Sequence, residues 1–262
     1  TSIGNMTRVA TDEKGGQTFE EGDEISVYAW TGDATVAPET RERVVNNAIN
    51  KLTNGSWVST PQMLWKNNRD KHYFIGVYPI SAISDLSAGE YTFDETKQVE
   101  SDLLVAVNKD GLSYNVDEQQ PVPLTFTHVM AKLVVNLTYK NQWGGIPTVE
   151  KVVVGNAAKE ATINYLTKVV TPSTTAKEDF SLPEITENTK YVSVIIPQED
   201  VKQLTIVIGG KNFVYDNGTP FKLESGKITT VNLEVGRDEI KLGDVKITDW
   251  ENGSTFSGEA LN

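Results

Sequence analysis

Leu124-Thr-Phe-Thr-His128-Val-Met-Ala-Lys-Leu133-Val-Val-Asn-Leu-Thr-Tyr139 is one long β-type run whose apolar phase changes partway along. Leu124, Phe126 and Met130 fall on even positions. Ala131, Leu133, Val135, Leu137 and Tyr139 fall on odd ones. Side chains alternate faces along a strand, so a one-residue change of phase sends every later apolar group to the opposite face. Either a bulge intervenes or the chain leaves one core and enters another. The change lies near the middle of 262 residues. The simplest expectation is two tandem β-domains, residues 1–126 and 127–262, with Phe126, His128 and Ala131 as structural residues at the junction.

Outward from this run, alternation and β-branched stretches dominate, punctuated by Gly, Asn, Asp and Pro. Ile25–Trp30 alternates cleanly after the turn Glu21-Gly22-Asp23. Val44–Leu52, Asn54-Gly55 and Trp57-Val58 read as a hairpin, because Asn-Gly supplies the positive φ that a tight turn needs. Tyr73–Pro79 reads as a buried strand ending at proline. Leu103–Val107 reads as a short strand closed by Lys109-Asp110-Gly111. In the second half, strands are expected at Val149–Val154, Tyr191–Ile196, Leu204–Ile208, Phe213–Tyr215, Ile228–Val235 and Ile240–Ile247, with Gly209-Gly210 as a hairpin turn. Val170–Leu182 reads as loop. Brief helix is expected at most in Ala37–Asn47 or Ser81–Leu86. Many short strands spaced by turns predict an all-β protein built of β-sandwiches.

Composition narrows the chemistry. The chain is 38% hydrophobic and 23% charged, as globular proteins are. No apolar run approaches the roughly 18–20 residues that span a bilayer. A start at Thr1 without an evident signal peptide is expected of a mature or trimmed form. The net charge of −12 opposes binding to nucleic-acid phosphates and is read as favouring solubility. The absence of cysteine removes disulfides, thiolate metal sites and cysteine nucleophiles. With only His72 and His128, a histidine-rich metal site is impossible.

Motifs for nucleophilic, phosphate-binding or zinc chemistry are missing. A carboxylate pair could in principle hydrolyse a glycoside, but any acidic β-protein would present one. Glu20-Glu21-Asp23-Glu24 has the oxygen ligands of a calcium site, yet it reads better as a solvated turn. His128 reads as a satisfied structural histidine and His72 as exposed. Trp30, Trp57, Trp65, Trp143 and Trp250 could include a sugar-stacking platform, although tryptophans in sandwiches mostly pack. No enzyme and no cofactor is expected.

Several segments together resemble the fimbrillin family, in its Mfa-like branch of pilus subunits from Gram-negative anaerobes of gut and mouth. They are Thr7-Arg8-Val9-Ala10-Thr11, Phe19–Val27, Tyr73–Pro79, Asp102-Leu-Leu-Val-Ala106, Leu124–Leu133, Gly226–Leu233 and Trp250-Glu-Asn-Gly253. Their order and spacing across nearly the whole chain carry the resemblance. It implies two tandem transthyretin-like β-sandwich domains, the first with a leader strand. It also implies a lipoprotein precursor that reaches the outer membrane and the cell-surface pilus. An arginine-specific protease would cut between Arg8 and Val9, removing an N-terminal strand and opening a groove. A strand from a neighbouring subunit would then fill it.

Carried onto this sequence, the donor comes from Glu239–Thr248 or the tail beyond it, with Ile240, Leu242, Val245 and Ile247 as candidate groove-filling residues. Four such side chains would contribute roughly 6–12 kcal/mol before ordering costs. Head-to-tail insertion does not close on itself and so makes a fibre. The implied partners are other pilin subunits in a homopolymer, the processing protease, and a host receptor or glycan. The rival expectation is a monomeric surface module that binds glycan or host protein.

Overall fold

The computed structural model describes residues 10–11, 17–114, 121–216, 218–250 and 255–259. Arg8 and Val9 lie outside the described residues. The protein is all-β, with two single-turn 3₁₀ segments among the described residues, at Thr40–Glu42 and Asn141–Trp143. In the first half the strands are β1 (Ala10–Thr11), β2 (Gln17–Thr18), β3 (Glu24–Thr31), β4 (Val45–Thr53), β5 (Ser56–Thr60), β6 (His72–Tyr78), β7 (Gly89–Thr92), β8 (Leu104–Leu112), β9 (Pro121–Thr125) and β10 (Thr127–His128). The second half continues with β11 (Ala131–Tyr139), β12 (Val149–Ala158), β13 (Glu160–Asn164), β14 (Val169–Pro172), β15 (Lys177–Leu182), β16 (Glu184–Thr186) and β17 (Lys190–Ile195). The last five are β18 (Gln203–Ile208), β19 (Lys211–Asp216), β20 (Lys227–Val235), β21 (Ile240–Asp249) and β22 (Thr255–Glu259).

An antiparallel six-stranded sheet, ordered β10-β8-β6-β3-β4-β5, organises the first half. Its central strands β3 and β6 are buried on both faces. Ile25, Val27, Ala29, Phe74, Leu104 and Ala106 face a smaller core that β9 covers with Val122 and Leu124, together with Phe126. Tyr28, Trp30, Ile75, Val77 and Val105 face a larger core, which also holds the buried residues of the second half. That second half pairs a five-stranded sheet, β16-β17-β11-β20-β21, with a four-stranded one, β15-β12-β18-β19. Their facing side chains form a β-sandwich. β7 joins β13 and β14 in a further three-stranded sheet.

The opening run is thus three strands rather than one. β9 ends at Thr125, β10 pairs with β8, and β11 begins at Ala131. The change of phase coincides with passage between cores, since Leu124 and Phe126 lie in the smaller one and Val129 to Leu137 in the larger. Phe126 reaches so close to β6 that a Cβ on Gly76 would stand 2.6 Å from its ring. Only glycine fits there. The hairpin turns follow their sequence signals, with positive φ at Asn54 and Gly55 and at Gly209 and Gly210.

Three local expectations need correction, and a fourth is met. Ser81–Leu86 forms no helix, because neighbours already satisfy its backbone. Ser26 Oγ accepts the Ser81 N–H at 2.8 Å, Tyr28 Oη accepts that of Ile83 at 2.9 Å, and Arg43 donates to the Ile83 and Ser84 carbonyls at 2.6 Å each. In Ala37–Asn47 the brief helix expected is present as the turn Thr40–Glu42, and the chain is extended again by Val45. Val170–Leu182 carries most of β14 and all of β15, drawn into strands by pairing with β13 and β12 and anchored by buried Phe180 and Leu182. The strand begun near Leu103 does not close at Gly111. It bulges there, the Asn108 side chain accepts the Gly111 N–H at 3.0 Å, and Leu112 pairs with His72.

His72 is also buried rather than exposed. Its Nε2 accepts the Lys66 N–H at 3.0 Å, its Nδ1 meets the Asp70 carbonyl at 3.0 Å, and its ring meets Trp65 edge-on. Burial lowers its pKa, partly offset by the contacts with Asp70.

Candidate functional site

The four donor candidates all lie on β21, whose sequence alternates apolar with Lys, Asp and Thr. β21 is the outermost strand of the five-stranded sheet and runs antiparallel to β20. Ile240 stands opposite Val235, Leu242 opposite Leu233, Val245 opposite Val231 and Ile247 opposite Thr229. A register shift at Leu242–Asp244 keeps all four on one face, where β20 buries its own partners. The covering sheet does not extend fully over them. Leu242, Val245 and Ile247 remain 37%, 37% and 41% exposed, and Ile240 packs partly against the larger core.

Charged groups fix this strand. Asn232 Nδ2 donates to Asp244 at 2.5 Å, Lys246 pairs with Asp244 at 3.4 Å, and Lys227 pairs with Asp249. Glu239 pairs with Lys140 and Lys241, and the hydrogen bond from Lys140 lowers its pKa. The far edge of β21 carries no strand among the described residues. The bulge and the charges are devices that blunt such an edge.

Beyond β21 the chain turns onto the start of the second half. The Trp250 N–H donates to the Gly226 carbonyl at 3.0 Å, and the buried indole stacks on the His128 ring at 3.7 Å and 11°. His128 Nδ1 meets Asp102 Oδ1 at 2.8 Å, and Lys132 sits 5.0 Å over the indole. Burial lowers the Lys132 pKa, opposed by attraction to Asp102. The His128 ring is only half satisfied, because its Nε2 and the indole Nε1 are buried without hydrogen-bond partners. Of the other junction residues, Phe126 packs in the smaller core and Ala131 pairs with Ile195. Asp102 and Trp250 complete this cluster from distant parts of the chain. The signal for them was a lone histidine on an apolar strand, which needs a polar partner when buried.

After Trp250 the chain returns to the first half. β22 pairs antiparallel with β9, from Thr255 opposite Thr125 to Glu259 opposite Pro121. The two form a two-stranded sheet over the smaller core, so the last described strand completes a layer begun far earlier.

Among the described residues no group of three or more His, Asp or Glu could hold a metal. In the acidic turn, Asp23 accepts from the Glu20 N–H, Glu21 caps Asn54 and Gly55, and Glu24 pairs with Lys51. The recess beside Trp30 offers no open indole face, since that residue is buried and its N–H bonds the Asp33 carbonyl. Trp57 packs on Phe19, Trp65 on Phe74 and Trp143 on Phe213.

The sequence profile of fimbrillin-like proteins matches residues 7–250. The chain belongs to the fimbrillin-like family. Solved structures share its fold at low identity. A "putative cell adhesion protein" of Bacteroides uniformis ATCC 8492 superposes with a TM-score of 0.69 at 20% identity, covering 89% of this chain and 93% of that one. A similarly described protein of Bacteroides ovatus ATCC 8483 gives 0.64 at 18% identity, covering 89% of each chain. The tip fimbrial protein Mfa3 of Porphyromonas gingivalis, truncated at its C-terminus, gives 0.53 at 12% identity, covering 88% of this chain and 95% of that one. No curated protein sequence matches significantly. Membership makes this fimbrillin-like chain a structural, non-enzymatic protein of cell-surface fimbriae, with a role as pilus subunit or in adhesion and assembly with other fimbrial subunits. No helix among the described residues is long and apolar enough to cross a membrane.

Proposed function

We propose that this fimbrillin-like protein is a stalk-type pilus subunit that polymerises head-to-tail by strand exchange, triggered by an arginine-specific protease cutting between Arg8 and Val9. The subunit is read as two tandem transthyretin-like domains, residues 1–126 and 127–262. It is exported as a lipoprotein precursor to the outer membrane, and the assembled fibre supports adhesion to a host receptor or glycan.

The observation that carries this reading is the pairing of β22 with β9. The layer over the smaller core accepts an extended segment from the C-terminal end of a chain. Strand addition of this kind satisfies backbone groups along the edge and places alternate side chains over the core. β22 is favoured over β21 as the donor. To leave its own sheet β21 would have to break a nine-pair ladder with β20, whereas β22 is held to β9 by five pairs. Ile240, Leu242, Val245 and Ile247 then form the apolar flank on which the next subunit rests.

The test is limited digestion with an arginine-specific protease, followed by intact mass and unheated gel electrophoresis. Loss of residues 1–8 followed by a ladder of heat-sensitive multimers is the expected result. Cleavage after Arg8 with a persistent monomer would refute stalk polymerisation, and resistance of Arg8 while other sites are cut would refute the protease trigger.

A further inference from the structure

β21 is the longest edge strand among the described residues. It runs for ten residues, whereas the other sheets end in strands of two to six. Exposed edges are normally kept short, because a row of unpaired N–H and C=O groups is a template for another strand. Every residue from Lys241 to Asp249 is exposed, and Leu242, Val245 and Ile247 are the large apolar ones among them. A long open edge that carries apolar side chains invites one partner or must exclude all of them.

The side chains of β21 match a second copy of the same strand. Pairing with β20 sorts them between two faces. Leu242, Val245 and Ile247 lie opposite Leu233, Val231 and Thr229 on the core-facing side. Lys241, Asp244, Lys246 and Thr248 lie opposite Glu234, Asn232, Thr230 and Ile228 on the other. Two such strands brought together antiparallel about Val245 set Val245 against its own counterpart. One step out, Asp244 meets the counterpart of Lys246. The next step sets Leu242 beside the counterpart of Ile247, because Gly243, the extra residue of the bulge, takes up the difference in count. Apolar groups then meet on one face and opposite charges on the other, and the two-fold axis repeats each unlike pair.

Other registers are penalised. A slip of one residue exchanges the faces. The nearest registers that keep the faces bring Lys246 against Lys246 or Asp244 against Asp244, and like charges directly opposite are destabilising. Both side chains are open to a partner, at 47% exposed for Asp244 and 71% for Lys246. The charges and the bulge that turn away an arbitrary strand thus favour one particular strand in one register.

We infer that β21 is a homotypic docking edge: two copies of the chain join antiparallel through β21 about a two-fold axis at Val245, merging their five-stranded sheets into one. The contact goes beyond strand exchange and does not depend on it. β21 stays seated on β20, and only its free edge is used. An isologous contact closes on itself, so it pairs two subunits and does not lengthen a fibre. Between two head-to-tail stalks it would tie them side by side.

The test uses the full, uncleaved chain, whose lack of cysteine lets a single thiol report on the axis. Directly opposed residues of an antiparallel pair have Cα atoms about 4.5–5.5 Å apart, within disulfide reach. Val245→Cys should therefore give a disulfide-linked dimer on mild oxidation, read by intact mass and non-reducing gel. Thr248→Cys stands about 20 Å from its own counterpart in this register and should cross-link several-fold less. Equal cross-linking at the two positions would mean collision without a register and would overturn the inference. So would a Val245→Cys chain that forms no linked dimer, with the unmodified chain monomeric by sedimentation throughout the micromolar range. In the Val245→Cys background, Asp244→Lys or Lys246→Asp alone should lower the cross-link several-fold. Both changes in one chain should restore it, and an equal mixture of the two single-charge variants should give mixed dimers. Failure of both rescues would show that these charges do not set the pairing.

Discussion

The two cores of this molecule are closed in different ways. The larger is sealed between full sheets, with β11 at the centre of one and β12 within the other. The smaller has a six-stranded sheet on one side and, among the described strands, the short β9 and the borrowed β22 on the other, with Phe19, Met63 and Phe126 packed in from outside them. A core covered by many strands loses little when one frays. A core covered by two short ones depends on each residue that spans the gap, and here that residue is Phe126. The difference locates where the protein can open without unfolding, because local stability follows local packing.

The largest expected effect sharpens this contrast directly. Phe126→Ala should destabilise the chain by about 3–5 kcal/mol, because it empties the middle of the thin layer. Hydrogen exchange should accelerate over β9 and β6 far more than over β11 and β20. Equal acceleration in both halves, measured by exchange mass spectrometry, would erase the distinction between the cores.

The next effect belongs to the larger core. Tyr28, Tyr91, Tyr139, Tyr165, Tyr191 and Tyr215 all have phenol pKa values raised, first of all by burial, and all lie in or against that core. Tyr139 is pushed up to about 12, and Tyr91, Tyr165 and Tyr191 higher still. The unfolded chain releases these protons near pH 10 while the folded chain keeps them, so the folded state binds more protons in this range. Their contribution is complete below pH 10 and is lost progressively as pH rises through 10 to 12 and beyond. Alkaline denaturation should therefore disrupt the larger core. Tyr91→Phe with Tyr165→Phe should flatten the loss, as read by tyrosinate absorbance alongside tryptophan fluorescence. An unchanged alkaline profile would remove these phenols from the account.

The smallest effect on stability concerns β21. Leu242→Ser with Val245→Ser should cost the monomer roughly 1 kcal/mol per site, as expected for apolar side chains only partly buried. Assembly after protease treatment should nevertheless fall, because the flank for the next subunit is lost. Normal assembly by this variant would show that β21 serves only its own sheet.

Much of the fold was legible because its signals are local. Asn54-Gly55 and Gly209-Gly210 announce their hairpins, and the displaced phase between Phe126 and Ala131 announces the passage between cores. Other features depend on partners far away in the chain. Lys177–Leu182 looks like loop until β12 offers a ladder. Ser81–Leu86 looks capable of helix until Arg43 and Tyr28 claim its backbone groups. His72 looks exposed until Lys66 and Asp70 enclose it. At the candidate site, the alternation of β21 was readable. The stack of Trp250 on His128 beside Asp102 was not, since no local pattern joins three such distant positions.

The near-continuity of β9, β10 and β11 has a mechanical consequence. Tension applied to a strand seated on β9 would pass along one stretch of backbone into β11, which is held by β17 on one side and β20 on the other. With β20 running parallel to it, the pull acts along the ladder, so many hydrogen bonds must yield together rather than one after another. The same run of sequence that separates the two cores is thus the path by which a load on one would be carried by the other.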